Sequence, residues 1–208
     1  MILRTWVCLI LLVGRLYAVP AECTPYFSSS ERLAEKLITL IDEEQKSLKV
    51  AIYAMTHMGI ANAIVRARQR GVAVEVLVDP FSVKQKSSIH RLLEHQIPLF
   101  VWDKSLAAGE DVSKGKQRAL MHDKFCVFGG KLVWTGSFNF THDANKHHQE
   151  NVVTIKSRGV AQKYLQHFAE MQTYQSRPYQ EYIALHPRKR KEKKLEGKLS
   201  SGYTEGNQ

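Results

Sequence analysis

Cysteine, glycine and long apolar stretches are all scarce in this sequence of 208 residues. Three cysteines exclude a disulfide-stapled miniprotein, and twelve glycines exclude a collagen-like repeat. Only the first twenty residues hold a long apolar run, which excludes a polytopic membrane protein. Acidic residues are also in deficit: twenty Asp and Glu face thirty Lys and Arg, a formal charge of +10. That balance favours polyanions, meaning nucleic acid or acidic lipid surfaces, and leaves the fold open. What is present is an ordinary globular composition, 44% apolar and 24% charged, of a length suited to one domain with tails.

The two ends differ from the middle. Residues 1–21 read as an export signal: Arg4 gives the positive start, Trp6 to Val13 the apolar stretch, and Ala18 and Ala21 are small residues suited to cleavage. The expected location is therefore secreted or periplasmic. A retained membrane anchor is the weaker alternative, because the run is about half of the ~20 residues a spanning helix needs. Cys8 leaves with the signal, and Cys23 and Cys126 are too few for a disulfide framework. Composition changes after Tyr182, and residues 177–208, with a basic run from Arg188 to Lys198, read as a solvated, disordered tail. A sharper reading makes that tail an electrostatic tether to nucleic acid.

Residues 24–176 read as one α/β domain. Ser28 and Glu31 have capping-box spacing before a helix with Leu33, Leu37, Leu40 and Ile41 on one face. A strand over 48–55, a helix over 59–70 stopped by Gly71, and the β-branched run 72–78 follow. A short helix over 87–95 and a strand over 98–102 complete a β-α-β-α-β pattern. The expected architecture is a mixed, largely parallel β-sheet flanked by helices on both faces. After a polar loop come a hairpin over 120–135 turning at Gly129-Gly130, a strand over 151–155, and a closing helix over 157–174.

Chemistry concentrates in Met121-His122-Asp123-Lys124-Phe125, then Gly136-Ser137-Phe138-Asn139, then Glu150. Residues two apart in a strand share a face, so His122 and Lys124 point together, and Ser137 and Asn139 have the same spacing beyond the partner strand. The glycine turn brings the two pairs side by side. Imidazole, ammonium, hydroxyl and carboxamide together make a poor core and a good anion site. Elsewhere, His142, His147 and His148 invite a zinc reading, but no cysteine pair accompanies them and no metal is expected. Trp134 and Phe138 read as packing residues, and Cys126 has no assigned role.

The spacing of His122, Lys124, Gly136, Ser137 and Asn139 resembles the phospholipase D superfamily, whose signature runs His-x-Lys, four residues, Asp, six residues, Gly-Ser with a nearby Asn. Gly129 stands at the Asp position, a departure that bears on the turn. The stretches Val50 to Met55 and Arg70 to Val74 resemble that family's first β-α-β unit. Because one motif is present, the resemblance points to the short members, the secreted bacterial endonucleases and mitochondrial-type phosphodiesterases, and implies a homodimer in which two motifs meet. It implies a covalent phosphohistidine on His122, protonation of the leaving oxygen by the other subunit's His122, and oxygen-holding by Lys124 and Asn139. Ser137 is a further donor, and Glu150 is expected to accept from His122 and fix its tautomer. No cofactor or metal is required by this scheme. The expected substrate is nucleic acid, DNA or RNA, with phospholipid head groups or cardiolipin as the alternative.

Overall fold

A computed structural model describes residues 21–84, 88–107 and 119–187; all but the last residue of the segment read as an export signal, and the basic run from Arg188, lie outside them. Among the described residues eight strands form one sheet: β1 (Glu22–Phe27), β2 (Ser47–Ile52), β3 (Ala73–Val78), β4 (Leu99–Trp102), β5 (Lys124–Phe128), β6 (Leu132–Gly136), β7 (Asn151–Lys156) and β8 (Ser176–Pro178). Their order across the sheet is β1-β7-β6-β5-β2-β3-β4-β8. Parallel pairing is confined to β2–β3 and β3–β4; the other neighbours run antiparallel. The sheet is therefore mixed, with a narrower parallel part than the helix–strand alternation implies, because hairpins and the two end strands supply the rest.

Alternation along the strands divides the core between two faces. Val50, Ile52, Val76 and Val78 join Leu33, Leu37 and Ile41 of α1 (Leu33–Glu43) and Ile60 and Ile64 of α2 (Met58–Gln69). Ala51, Leu77, Phe125 and Val127 point the other way, against Ala161, Phe168 and Met171 of α7 (Arg158–Tyr174). Burial of a side chain such as Phe168 contributes about 2–3 kcal/mol. Short helices complete the chain: α3 (Pro80–Lys84), α4 (Ile89–Glu94), α5 (Lys104–Ala107), α6 (His142–Lys146) and α8 (Tyr179–Leu185).

Three local readings are corrected. Ser28 and Glu31 form no capping box: Glu31 accepts from the Phe27 N–H, and α1 starts after Arg32 without a side-chain cap. The Ser28 hydroxyl is taken up elsewhere, donating to the His148 carbonyl and accepting from the Glu150 N–H. Second, residues before Thr24 are structured, since Glu22–Phe27 pairs with β7 along its whole length. Third, the tail does not begin at residue 177. Ser176–Pro178 pairs with β4, and Tyr182 of α8 is buried, because this segment covers an otherwise open sheet edge.

One edge of the sheet collects the functional groups. The pairings Ile52↔Lys124, Phe27↔Asn151 and Trp102↔Ser176 show that β1 to β4 and β6 end where β5, β7 and β8 begin. This is the carboxyl edge of the parallel strands, the usual ligand side of an open α/β sheet.

Candidate active site

The hairpin forms as its sequence predicts. Gly129 and Gly130 have φ of +54° and +63°, the geometry a tight primed turn demands and side chains resist. It pairs Phe125 with Thr135, which places Gly136 beside Lys124 at the functional edge. Gly136 is fixed by space: a Cβ there would collide with the Asn151 carbonyl oxygen of β7. The Gly-Ser step thus lets β6 and β7 close together and delivers Ser137 next to Glu150.

Each predicted residue lies at this edge. His122 precedes β5 and is exposed. Lys124, the first residue of β5, is only 7% exposed, and its ammonium donates to the His122 carbonyl oxygen at 2.7 Å. Burial lowers the lysine's pKa, while the charges of Asp123 and Glu150 act the other way. Asn139 sits in the turn after β6, where its Oδ1 is buried with no hydrogen-bond partner among the described residues. A buried acceptor left unsatisfied costs about 1–3 kcal/mol and marks a place where a donor fits.

Ser137 and Glu150 are arranged differently from expectation. The Ser137 hydroxyl donates to Glu150 Oε2 and accepts from the Asn151 N–H at 3.0 Å. No hydrogen bond joins Glu150 to His122 among the described residues; the carboxylate instead anchors the serine and supplies negative charge near Lys124. The reason is topological. Glu150 immediately precedes β7, with the Ser137 hydroxyl in reach on the neighbouring strand's exit. Ser28 then fixes Glu150 from the other side through the Glu150 N–H.

A residue missed in the sequence completes the site. Tyr53 follows β2, and its ring meets the His122 imidazole edge-on with centroids 4.7 Å apart. The Lys124 ammonium lies 5.4 Å from the same ring centre, and Phe81 stacks on the ring at 4.9 Å. Tyr53 therefore touches both members of the His-x-Lys pair. Nothing in the periodicity of β2 marks it, because the contact depends on β5 pairing beside β2.

Other candidates resolve into structural roles. His57 caps α2 by accepting from the Ile60 N–H, and it stacks on His142 at 4.5 Å. His148 lies 3.8 Å from Glu150, and no group of three or more His, Cys, Asp or Glu side chains among the described residues could hold a metal ion. Trp134, Phe138 and Cys126 are buried in the core. Asp123 turns to the opposite face and pairs with His167 of α7 at 2.9 Å. Gly129 lies at the far end of β5 from His122, with the Glu44 carboxylate against it.

A family model described as "Cardiolipin synthase, PLD-like domain" matches residues 37–172. The chain belongs to the phospholipase D superfamily. It is accordingly a phosphodiesterase, and the match spans every residue of the site from Tyr53 to Glu150. Among curated relatives of this superfamily member, a phospholipase D of Rickettsia felis is 32% identical over 157 residues, 75% of this chain and 67% of that protein. A mitochondrial cardiolipin hydrolase of Xenopus tropicalis is 26% identical over 151 residues, 72% of this chain and 66% of that protein. Among solved structures, the phospholipase D family member Nuc from Salmonella typhimurium superposes with a TM-score of 0.65 at 26% identity, covering 77% of this chain and 99% of Nuc. NucT from Helicobacter pylori shares the fold, with a TM-score of 0.67 at 22% identity and coverage of 75% and 98%.

Proposed function

We propose that the chain is an endonuclease, cleaving phosphodiester bonds of DNA or RNA without a metal, and that two copies form one active centre. The observation that carries this reading is that the exposed His122 imidazole and the nearly buried Lys124 ammonium lie against the same Tyr53 ring, the ammonium donating to the carbonyl oxygen of His122 itself. A nucleophile open to solvent and a cation held at its base suit a phosphate approaching from outside. The ring nitrogen of His122 attacks phosphorus and the bond to the leaving oxygen breaks, giving a phosphohistidine. His122 of the partner subunit gives that oxygen its proton. It then takes a proton from water, whose oxygen attacks phosphorus and releases His122. Lys124 and the Asn139 carboxamide hold the non-bridging oxygens as charge grows on them. Ser137 and Glu150 act behind them, keeping the turn and the lysine in place.

The pairing of two copies is supported by the single motif, by the exposure of His122, and by coverage of 99% of the short Nuc chain. Nucleic acid as substrate is supported by the +10 formal charge. Export of the mature protein, with residues 1–21 as signal, belongs to the same reading. The test is cleavage of single- and double-stranded nucleic acid in excess EDTA, with His122→Ala alongside and the oligomeric state measured by sedimentation. Cleavage by the wild type and none by the variant is expected. A fully active monomer, or cleavage that survives loss of His122, rejects the mechanism.

A second reading is hydrolysis of phospholipid head groups or cardiolipin by the same residues. It is favoured by the names of the relatives, phospholipase D and mitochondrial cardiolipin hydrolase. Release of phosphatidic acid from vesicles, without cleavage of nucleic acid, decides for it.

A further inference from the structure

Beside the catalytic edge lies a cleft of about 260 Å³ that the mechanism above does not use. Its walls include Phe81, Trp102 and Tyr182, its polar lining includes Asp79 and Asp103, and Leu120 stands at its rim, 39% exposed. The cleft adjoins the reacting groups through a run of rings. Phe81 stacks on Tyr53 at 4.9 Å with planes 12° apart, and Tyr53 meets His122 at 4.7 Å. Leu120 is two residues from His122 in the chain.

The two sides of the site differ in charge. Lys124 offers a cation where the phosphate sits. The cleft offers two carboxylates held in fixed positions: Asp79 accepts from the Phe81 and Met121 N–H groups at 2.7 and 2.9 Å, and Asp103 accepts from Ser105 and from Arg177 at 2.8 Å. Arg177 offsets Asp103, and Lys104 and His186 also line the cleft, so among the described residues its charges largely balance and no cluster of cations waits there for a second phosphate. The cleft suits an uncharged, flat group attached near the scissile phosphate. With water taking about 30 Å³ per molecule, the space is roughly nine waters, room for one heterocyclic ring beside aromatic walls. Tyr182 adds a hydroxyl, kept protonated by its burial and by Asp103 and Asp79 nearby.

We propose that this cleft is the subsite for one nucleobase, that of the nucleotide on one side of the scissile phosphate. The inference rests on the endonuclease reading and names the feature of the substrate that the site grips. Stacking of a base on an aromatic wall changes binding by about fivefold to a hundredfold or more.

The experiment uses the full chain and single-stranded hexanucleotides with one phosphodiester, the remaining linkages being uncharged methylphosphonates. The base on one side of that bond, or on the other, is replaced by an abasic sugar, and kcat/KM is measured. Removing the base on one side alone is expected to lower kcat/KM by about tenfold in the wild type. Leu120→Trp, which fills the mouth from an exposed position, is expected to lower kcat/KM for the intact substrate by a similar factor and to erase the dependence on that base. Phe81→Ala should also erase it. Cleavage indifferent to both bases, or a Leu120→Trp enzyme with full base dependence, overturns this inference alone. No cleavage of any oligonucleotide overturns the endonuclease reading and this inference together. Choline release from phosphatidylcholine vesicles that Leu120→Trp blocks, with oligonucleotide cleavage intact, assigns the cleft to a head group and also overturns it.

Discussion

The Glu44 carboxylate lies 3.2 Å from the point where a Cβ on Gly129 would stand. Gly129 occupies the position of the superfamily's Asp, so a carboxylate reaches that place from a different strand connection. Glu44 Oε1 accepts from the N–H groups of Gln45, Lys46 and Ser47, and the residue is 8% exposed. Glu44→Ala should therefore destabilise the fold by about 2–3 kcal/mol, as hydrogen bonds to a charged group do. Gly129→Asp alone should destabilise as well, by crowding two carboxylates, whereas in the Glu44→Ala background it should restore part of the loss. Urea unfolding of the four proteins measures this coupling. Activity at the opposite edge, about 17 Å along β5, should stay unchanged in the double variant.

In the proposed mechanism Lys124 supplies the charge that holds the phosphate, at a nearly buried position. Lys124→Met should lower kcat by about 10²- to 10³-fold, the scale of losing one preorganised donor. Thermal stability should hold or rise, because a nearly buried charge is desolvated with no carboxylate partner at hydrogen-bond distance among the described residues. Burial holds the lysine's pKa below 10.5, so the alkaline limb of activity should fall at lower pH than an exposed lysine would give.

Tyr53 is expected to act by position. Tyr53→Leu removes the ring against His122 and Lys124 and should lower kcat by about tenfold with little change in KM. Tyr53→Phe keeps the ring contacts and should retain most activity. Loss in both variants to the same degree would point to the hydroxyl instead.

His57 is expected to make the fold sensitive to acid. Burial, then the neighbouring His142, lowers its pKa from 6.5, with Lys146 acting in the same direction and Glu35 against it. Its folded-state pKa lies below the unfolded value, so its contribution is complete above about pH 6.5 and is lost as pH falls through the folded value. Melting temperature should drop between pH 7 and pH 5. His57→Asn, which can still cap α2, should flatten that drop.

Ser28 ties the end of β1 to the segment before β7 by bonding both the His148 carbonyl and the Glu150 N–H. Ser28→Ala should cost about 1–2 kcal/mol and lower kcat severalfold by loosening Glu150 behind Ser137. Unchanged activity with reduced stability would confine Ser28 to the fold.

The chain's own residue pattern determined the hairpin and the main helices, and it singled out His122, Lys124, Ser137 and Asn139, which the structure brings to one edge of the sheet. These depend on period, on glycine where φ must be positive, and on fixed spacing within about twenty residues. Spacing also placed Glu150 at the site, although it could not say which partner would take the carboxylate. What only the tertiary structure decided are contacts between distant segments. Strand pairing puts Tyr53 against His122, Glu44 beside Gly129, Ser28 onto Glu150, and β8 over the sheet's end. No local periodicity encodes such meetings, because a side chain's neighbours across a sheet are fixed by the register of strands far apart in sequence.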